Sequence, residues 1–213
     1  MFKLNTVLTA LSIALLLTAC TTKPAPEAAD NAQLSWAERQ TQLKKIDRWN
    51  LQGAVAIKTA ENKGGNASVS WRQLSTDYTL YLFGPLGMGK IQITGNAQSV
   101  SLQRGSQHYT AHSAEQLLYT QMGWTLPVSE LYYWIRGLPS PHYSAKTTFD
   151  NFNHLINLEQ KGWIIEYQQY TGVDGVDLPT RMSLTHPQLR VKLVVSEWQI
   201  MQIPSLVEFV ADD

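Results

Sequence analysis

The segment from Gly84 to Lys90 has the spacing of a phosphate-binding loop. It reads GPLGMGK, which fits G-x-x-x-x-G-K, and the strand-like run YTLYLF precedes it. A nucleotide site also needs Ser or Thr after the lysine, to hold Mg²⁺, and a helix whose N-terminus faces the phosphates. Here Ile91 follows, and IQIT alternates like a strand. The pattern therefore disfavours a nucleotide cofactor.

Other residue types suited to chemistry give weak signals. His108 and His112 are four residues apart, but they fall on a predicted strand, and zinc would need a helical pair and a third ligand. The chain has no G-x-S-x-G elbow. We expect no metal, no cofactor and no catalytic residue. Two of the 17 acidic residues could still meet in the fold, so a hydrolase stays an alternative.

The only cysteine, Cys20, follows a short apolar run. Lys3 gives a positive start, and residues 7–17 read VLTALSIALLL. This is a secretory signal pattern, and the run is shorter than the ~20 residues of a relaxed membrane span. The sequence LTAC at 17–20 resembles a bacterial lipobox. That resemblance implies cleavage before Cys20, a diacylglycerol on its thiol and a palmitoyl chain on its new amine. Thr21, in place of Asp, implies the outer membrane.

Composition and charge limit the remaining classes. The 213 residues carry 17 basic and 17 acidic side chains, so nucleic-acid binding through phosphate contacts is disfavoured. Seven Trp, nine Tyr and five Phe argue against disorder. We predict a removed signal peptide over 1–19, the acylated Cys and a flexible Pro/Ala-rich tether over 20–34, and a single domain over 35–213.

The folded part reads as a sheet with a few helices. Ser35 and Glu38 form a capping-box pattern, which predicts a helix over 36–48. Period-two alternation then predicts half-buried antiparallel strands, for example in NASVSWRQL, KIQITG and SVSLQ. Ser113 begins a second predicted helix, and Ser129 begins a third that stops at Gly137. A sheet whose apolar face is covered by helices encloses either a solid core or a cavity, and the pattern does not separate the two.

The loop after YTLYLF is unusually apolar. It contains Leu86 and Met88 between Pro85 and Gly87. Loops are normally polar and exposed. Leu86 therefore either tucks under a neighbouring strand or protrudes to meet an apolar partner such as a membrane.

An ordered set of segments resembles the LolB family. These are RWNLQGAVAI, SVSWRQ, FGPLG, YTAHSAEQLL, WIRGLP and LPTRMSLT, and they extend over essentially the whole chain after Cys20. The resemblance implies an unclosed, strongly curved antiparallel β-barrel covered by a lid of helices, similar to LolA and LolB. It also implies a Gram-negative, lipid-anchored outer-membrane protein that faces the periplasm and is a monomer.

The same resemblance implies a function without enzymatic activity. Members accept triacylated lipoproteins from the periplasmic carrier LolA, hold their acyl chains in a hydrophobic cavity and insert them into the outer membrane without nucleotide. Cys20 matches the anchoring Cys, and Leu86, with Pro85, Gly87 and Met88, matches the insertion loop. Gly84 replaces an Asn that is often found there.

Two expectations about the site remain open. Leu117, Leu118, Trp134 and Ile135 are predicted to lie on lid helices that face the cavity. The alternative function is an outer-membrane lipoprotein scaffold that assists assembly of another envelope complex.

Overall fold

The structure is a computed structural model and describes residues 34–84 and 89–201. Cys20 and the loop residues Pro85, Leu86, Gly87 and Met88 lie outside the described residues. The described elements, in chain order, are α1 (Trp36–Lys44), β1 (Arg48–Thr59), β2 (Gly64–Leu74), β3 (Asp77–Phe83), β4 (Lys90–Gly95), β5 (Val100–Arg104), β6 (Gln107–Ala111), α2 (Ala114–Met122), α3 (Val128–Trp134), β7 (Ala145–Phe149), β8 (Leu155–Gln160), β9 (Trp163–Val173), β10 (Val176–His186) and β11 (Leu189–Ile200).

All of these strands form one antiparallel sheet in the order β6-β5-β4-β3-β2-β1-β11-β10-β9-β8-β7. Strands that are neighbours in sequence pair with each other, except β6 and β7. The first strand also pairs with the last, through contacts from Trp49–Ile200 to Thr59–Leu189. β6 and β7 are the two edges, so the sheet is unclosed. The chain passes from one edge to the other through α2 and α3, and this connection carries the helices across one face. The predicted fold class, mainly β with helices and unclosed, is confirmed.

The two ends of the sheet differ in what they carry. We call the end at which β1 and β3 finish and β11 begins the loop end. The opposite end, where β1 begins, is the α1 end, because α1 leads directly into β1. β3 ends at Phe83 and β4 begins at Lys90 at this loop end.

Alternation along the strands decides which face is buried. In β11, Leu189, Val191, Leu193 and Val195 are buried, and the residues between them are exposed. Period two puts successive side chains on opposite faces, so one face is apolar and the other meets solvent. Gly53 marks a bulge between β1 and β11, where a Cβ atom would lie 2.1 Å from the carbonyl oxygen of Val194. The predicted strands are confirmed by this register.

The helix boundaries differ from prediction in two places. α1 ends at Lys44 and not at 48, because Arg48 already pairs in β1. α3 has Pro127 at its N-cap, so Ser129 does not cap it. The caps at Ser35, with its reciprocal Glu38 bond, and at Ser113 are confirmed. No helix among the described residues is long and apolar enough to cross a membrane.

Candidate functional site

An apolar cavity lies between the sheet and the α2–α3 connection. Its volume is ≈ 70 Å³, and every residue that lines it is apolar. Strands β1 to β4, β10 and β11 supply Leu51, Val55, Ile57, Val69, Trp71, Leu80, Leu82, Ile93, Leu184, Val191 and Leu193, and the connection supplies Leu118, Trp124, Leu126, Val128, Leu131 and Ile135. A cavity lined this way offers a water molecule no hydrogen-bond partner, so it stays dry.

Two of the four predicted lid residues line this cavity, and two lie elsewhere. Leu118 and Ile135 are among the lining residues. Leu117 and Trp134 are buried but contact other parts of the core. Successive helical residues are about 100° apart, so Trp134 and Ile135 face different directions. Sequence reasoning missed Trp124, Leu126 and Val128, because all three fall between the two predicted helices.

Arg136 ties the end of α3 to α1. Its side chain is buried, and its Nε donates to the carbonyl of Tyr132 at 2.9 Å. Its Nη1 donates to the carbonyls of Leu43, at 3.1 Å, and Ile46. Burial lowers the pKa of Arg136, and the nearby Tyr132 opposes that shift. A cation that donates hydrogen bonds to carbonyls at the C-terminal end of a helix, here α1, also interacts favourably with the helix dipole.

Gln160 and Tyr167 hold the same end of α3 on the sheet. The Gln160 Oε1 accepts hydrogen bonds from the Trp134 indole at 2.8 Å and from the Ser140 backbone N–H at 2.9 Å. The Tyr167 hydroxyl donates to the Trp134 carbonyl at 2.8 Å, and burial raises the pKa of that hydroxyl. Together with Arg136, these bonds fix the C-terminal end of α3.

Glu115 links α2 to the start of α3. Its carboxylate accepts from the backbone N–H of Ser129 at 3.1 Å and from the Ser129 hydroxyl at 2.8 Å. Burial opposes ionisation of Glu115, but these hydrogen bonds outweigh it, and its pKa is lowered. At its other end, α2 receives one bond from Arg104 Nη2 to Met122 Sδ at 3.1 Å. Apart from these bonds, α2 rests on the sheet mainly through its apolar side chains.

α1 is held by a buried polar cluster. Asp177 accepts from Arg39 Nη1 at 2.9 Å and lies 3.0 Å from His154 Nε2. The other ring nitrogen of His154 lies 3.0 Å from Asp150. Asp177 lies near the start of β10, and Arg39 lies on α1. This cluster therefore fixes α1 at the α1 end of the sheet.

The described residues on either side of 85–88 do not have the arrangement of a nucleotide-binding loop. The Gly84 N–H donates to the Gly89 carbonyl at 3.2 Å, and β4 begins at Lys90. A strand therefore stands where a phosphate loop needs a helix. Within residues 34–84 and 89–201, no three His, Cys, Asp or Glu side chains are grouped to hold a metal ion.

An unclosed antiparallel sheet with helices across a dry apolar cavity defines the LolA-like class of folds. A LolA superfamily protein from Nitrosomonas europaea superposes with a TM-score of 0.51 at 9% identity, over 78% of this chain and 94% of that one. A putative outer membrane lipoprotein-sorting protein domain from Vibrio parahaemolyticus gives 0.50 at 10% identity, over 80% and 93%. Identities this low show the fold alone.

The sequence comparisons give the family. Residues 47–198 match the family described as outer membrane lipoprotein LolB. The chain is 41% identical over 189 residues to the outer-membrane lipoprotein LolB of Coxiella burnetii, which covers 87% of this chain and 89% of that one. It is 40% identical over 184 residues to the LolB of Pseudomonas aeruginosa, over 86% and 89%. The chain belongs to the LolB family. Its membership confirms the predicted family, the outer-membrane location in a Gram-negative bacterium and the non-enzymatic class.

Proposed function

We propose that this protein accepts triacylated lipoproteins from the periplasmic carrier LolA, holds their acyl chains in the apolar cavity, and inserts them into the outer membrane without nucleotide. The observation that carries this proposal is the cavity itself, which has an entirely apolar lining between the sheet and α2–α3. Exposing an acyl chain to water costs about 0.8 kcal/mol per CH₂. A dry apolar cavity removes that cost during transfer.

Loading requires the lid to move. A volume of ≈ 70 Å³ holds about five water-sized spheres, which is far less than a set of acyl chains needs. The C-terminal end of α3 is fixed by Arg136, Gln160 and Tyr167, whereas α2 has few polar contacts. The movable part is therefore α2 with the connection over 123–127. The free energy of this opening subtracts from the apparent affinity for cargo.

The anchor and the insertion loop complete the proposal. Cys20 carries the acyl chains that hold the protein on the membrane, residues 20–34 tether the single domain, and Leu86 enters the bilayer during delivery. The position of its described neighbours supports this role, because β3 ends at Phe83 and β4 begins at Lys90 at the loop end, away from α1. The protein acts as a monomer.

A transfer assay tests the proposal. LolA loaded with a lipoprotein is mixed with the chain from residue 21 onward, which keeps every described element, and the carrier and the receptor are then separated. We expect the cargo to move to the receptor. Leu118→Trp should block this transfer by filling the cavity, at an overpacking cost of about 1–3 kcal/mol.

Tyr119→Trp is the matched control, because Tyr119 neighbours Leu118 on α2 and is 65% exposed. It should leave transfer intact. Transfer to a folded Leu118→Trp protein would contradict the cavity as the binding site. A folded wild-type protein that takes no cargo would favour the scaffold alternative.

A further inference from the structure

The outer face of the sheet, which is turned away from the cavity, carries an uncompensated basic cluster at the loop end. Lys58, Arg190 and Lys192 are all exposed there. Lys58 lies directly opposite Arg190 in the β1–β11 ladder, and Lys192 lies opposite Ala56 on the same face. Like charges directly opposite each other destabilise a sheet. The fold therefore retains an unfavourable pair at this position.

These three side chains border a shallow depression of ≈ 500 Å³. Lys63 lines it too, together with Asn62 and Asn66. We call Lys58, Lys63, Arg190 and Lys192 the basic face.

Few acidic groups offset the basic face. Among the described residues, Glu61 pairs with Lys63 at 2.8 Å. Neither Lys58, Arg190 nor Lys192 forms an ion pair with a described carboxylate. Glu166, on the same face of β9, accepts a hydrogen bond from the Ser183 hydroxyl at 2.9 Å. A net positive patch thus stands out on a chain whose formal charge is zero.

We propose that the basic face docks on the anionic phospholipid headgroups of a bilayer. Its charges are spread over neighbouring strand positions, about 7 Å apart along a strand, and do not converge on one point. That spacing suits an array of phosphates in a membrane surface better than one enclosed small anion. Lys and Arg close to an anionic membrane surface contribute attraction one charge at a time.

The basic face lies at the same end of the sheet as the end of β3, at Phe83, and the start of β4, at Lys90. The inference extends the proposed insertion step. It rests on that proposal for one point, namely that the membrane is the outer membrane. Docking through the basic face brings the loop end to the bilayer before any cargo leaves the cavity.

Flotation with lipid vesicles tests the proposal and needs no cargo. The chain from residue 21 onward is mixed with phosphatidylcholine vesicles, with and without phosphatidylglycerol. Binding should require the anionic lipid and weaken as salt rises. The variant Lys58→Gln/Arg190→Gln/Lys192→Gln should weaken binding by roughly fivefold for each charge removed, with thermal melting equal to or slightly above that of the wild type.

The matched control removes the same charge from the other end of the molecule. Lys44, Lys45 and Arg72 are exposed there, and Lys44→Gln/Lys45→Gln/Arg72→Gln should bind as the wild type does. Equal weakening by both triple variants would show an effect of net charge and overturn the proposal, and so would unchanged binding of the first variant. Displacement by soluble glycerol phosphate would indicate a small-anion site and also overturn it.

Cargo transfer separates this inference from the proposed function. The basic-face variant should still accept lipoprotein from LolA in solution. A wild-type protein that binds anionic vesicles through the basic face but accepts no cargo would support the docking surface and contradict the proposed function.

Discussion

Asp177 is a buried carboxylate at which three elements meet. Burial raises its pKa, but hydrogen bonds from His154 and Arg39 outweigh that effect and hold the pKa below its ordinary value. The stabilisation is therefore fully present above the ordinary pKa of about 3.9, and it is lost as the pH falls through the lower value of the folded state.

Asp177→Asn should lower the free energy of unfolding at pH 7 by about 3–5 kcal/mol, because it leaves the Arg39 cation without its buried carboxylate. The difference from wild type should shrink below about pH 4, where the wild-type carboxyl also takes up a proton. Urea unfolding at pH 7 and pH 3 measures both values. Glu61→Gln removes an exposed partner of Lys63 and should change stability by about 0.5 kcal/mol or less. A loss of the same size from both variants would contradict the role of burial.

For Leu86 the sequence is compatible with two positions, one packed under a neighbouring strand and one protruding towards a membrane. We expect Leu86→Glu to melt as the wild type does, to accept cargo from the carrier and to fail in delivery to liposomes. Contact of a leucine with the bilayer is worth roughly 1.5–3 kcal/mol, and a carboxylate in its place would lose its hydration there. A large drop in melting temperature would mean that Leu86 packs in the core, and normal delivery would exclude a membrane role.

At the scale of elements, the stability of α3 depends more on the buried Arg136 side chain than on the helix-forming tendency of its own residues. Val128–Trp134 is a helix of 7 residues with no side-chain cap. Helices this short are marginal in isolation, so tertiary contacts must supply their stability. Arg136 supplies them by binding the carbonyls of Leu43 and Ile46 at the end of α1.

Arg136→Leu should lower the free energy of unfolding by about 1–3 kcal/mol, because it removes the side-chain donor of the Ile46 carbonyl and leaves the Leu43 carbonyl with only its backbone hydrogen bonds. Hydrogen exchange should speed up at the C-terminal end of α1 and in α3, and stay unchanged in β10. Arg104→Leu removes the single bond to Met122 and should affect only α2. Uniform acceleration across the sheet in the Arg136 variant would show that the cation stabilises the whole fold and not this helix.

The same elements show what sequence could and could not predict. Alternation located several strands, among them β2, β4 and β5, and local caps located the starts of α1 and α2, because those signals lie within a few residues. The start of α3 was missed, since Ser129 donates to Glu115, 14 residues earlier, and so does not cap its own helix. Half of the predicted lid residues line the cavity, because helix rotation is set by distant partners such as Gln160, 26 residues from Trp134. The pairing of β1 with β11 was not predicted, because it joins residues 130 or more positions apart, such as Thr59 and Leu189, and leaves no local signal.

At the scale of the whole molecule, the point at which the tether joins the domain and the proposed membrane-facing end lie at opposite ends of the sheet. The Leu34 carbonyl accepts a hydrogen bond from Asn153 at 3.0 Å, in the turn between β7 and β8 at the α1 end. The loop end lies one strand length away, and β1 has 12 residues, or about 40 Å. The fourteen residues from 20 to 33 can span at most about 50 Å when extended. If Cys20 is the membrane anchor, as proposed, the tether is just long enough to let the domain stand upright with the loop end against the same bilayer.

Deletion of residues 24–30 should uncouple delivery from cargo acceptance. The seven residues left between 20 and 33 span at most about 25 Å, so the anchored protein can no longer stand upright with its loop end against its own membrane. We expect normal cargo transfer from LolA to the shortened protein and reduced insertion into the proteoliposomes that carry it. Seven Gly and Ser residues inserted at the deletion should restore insertion, because only length matters in this geometry. Full insertion by the shortened protein would contradict an upright orientation of the domain during delivery.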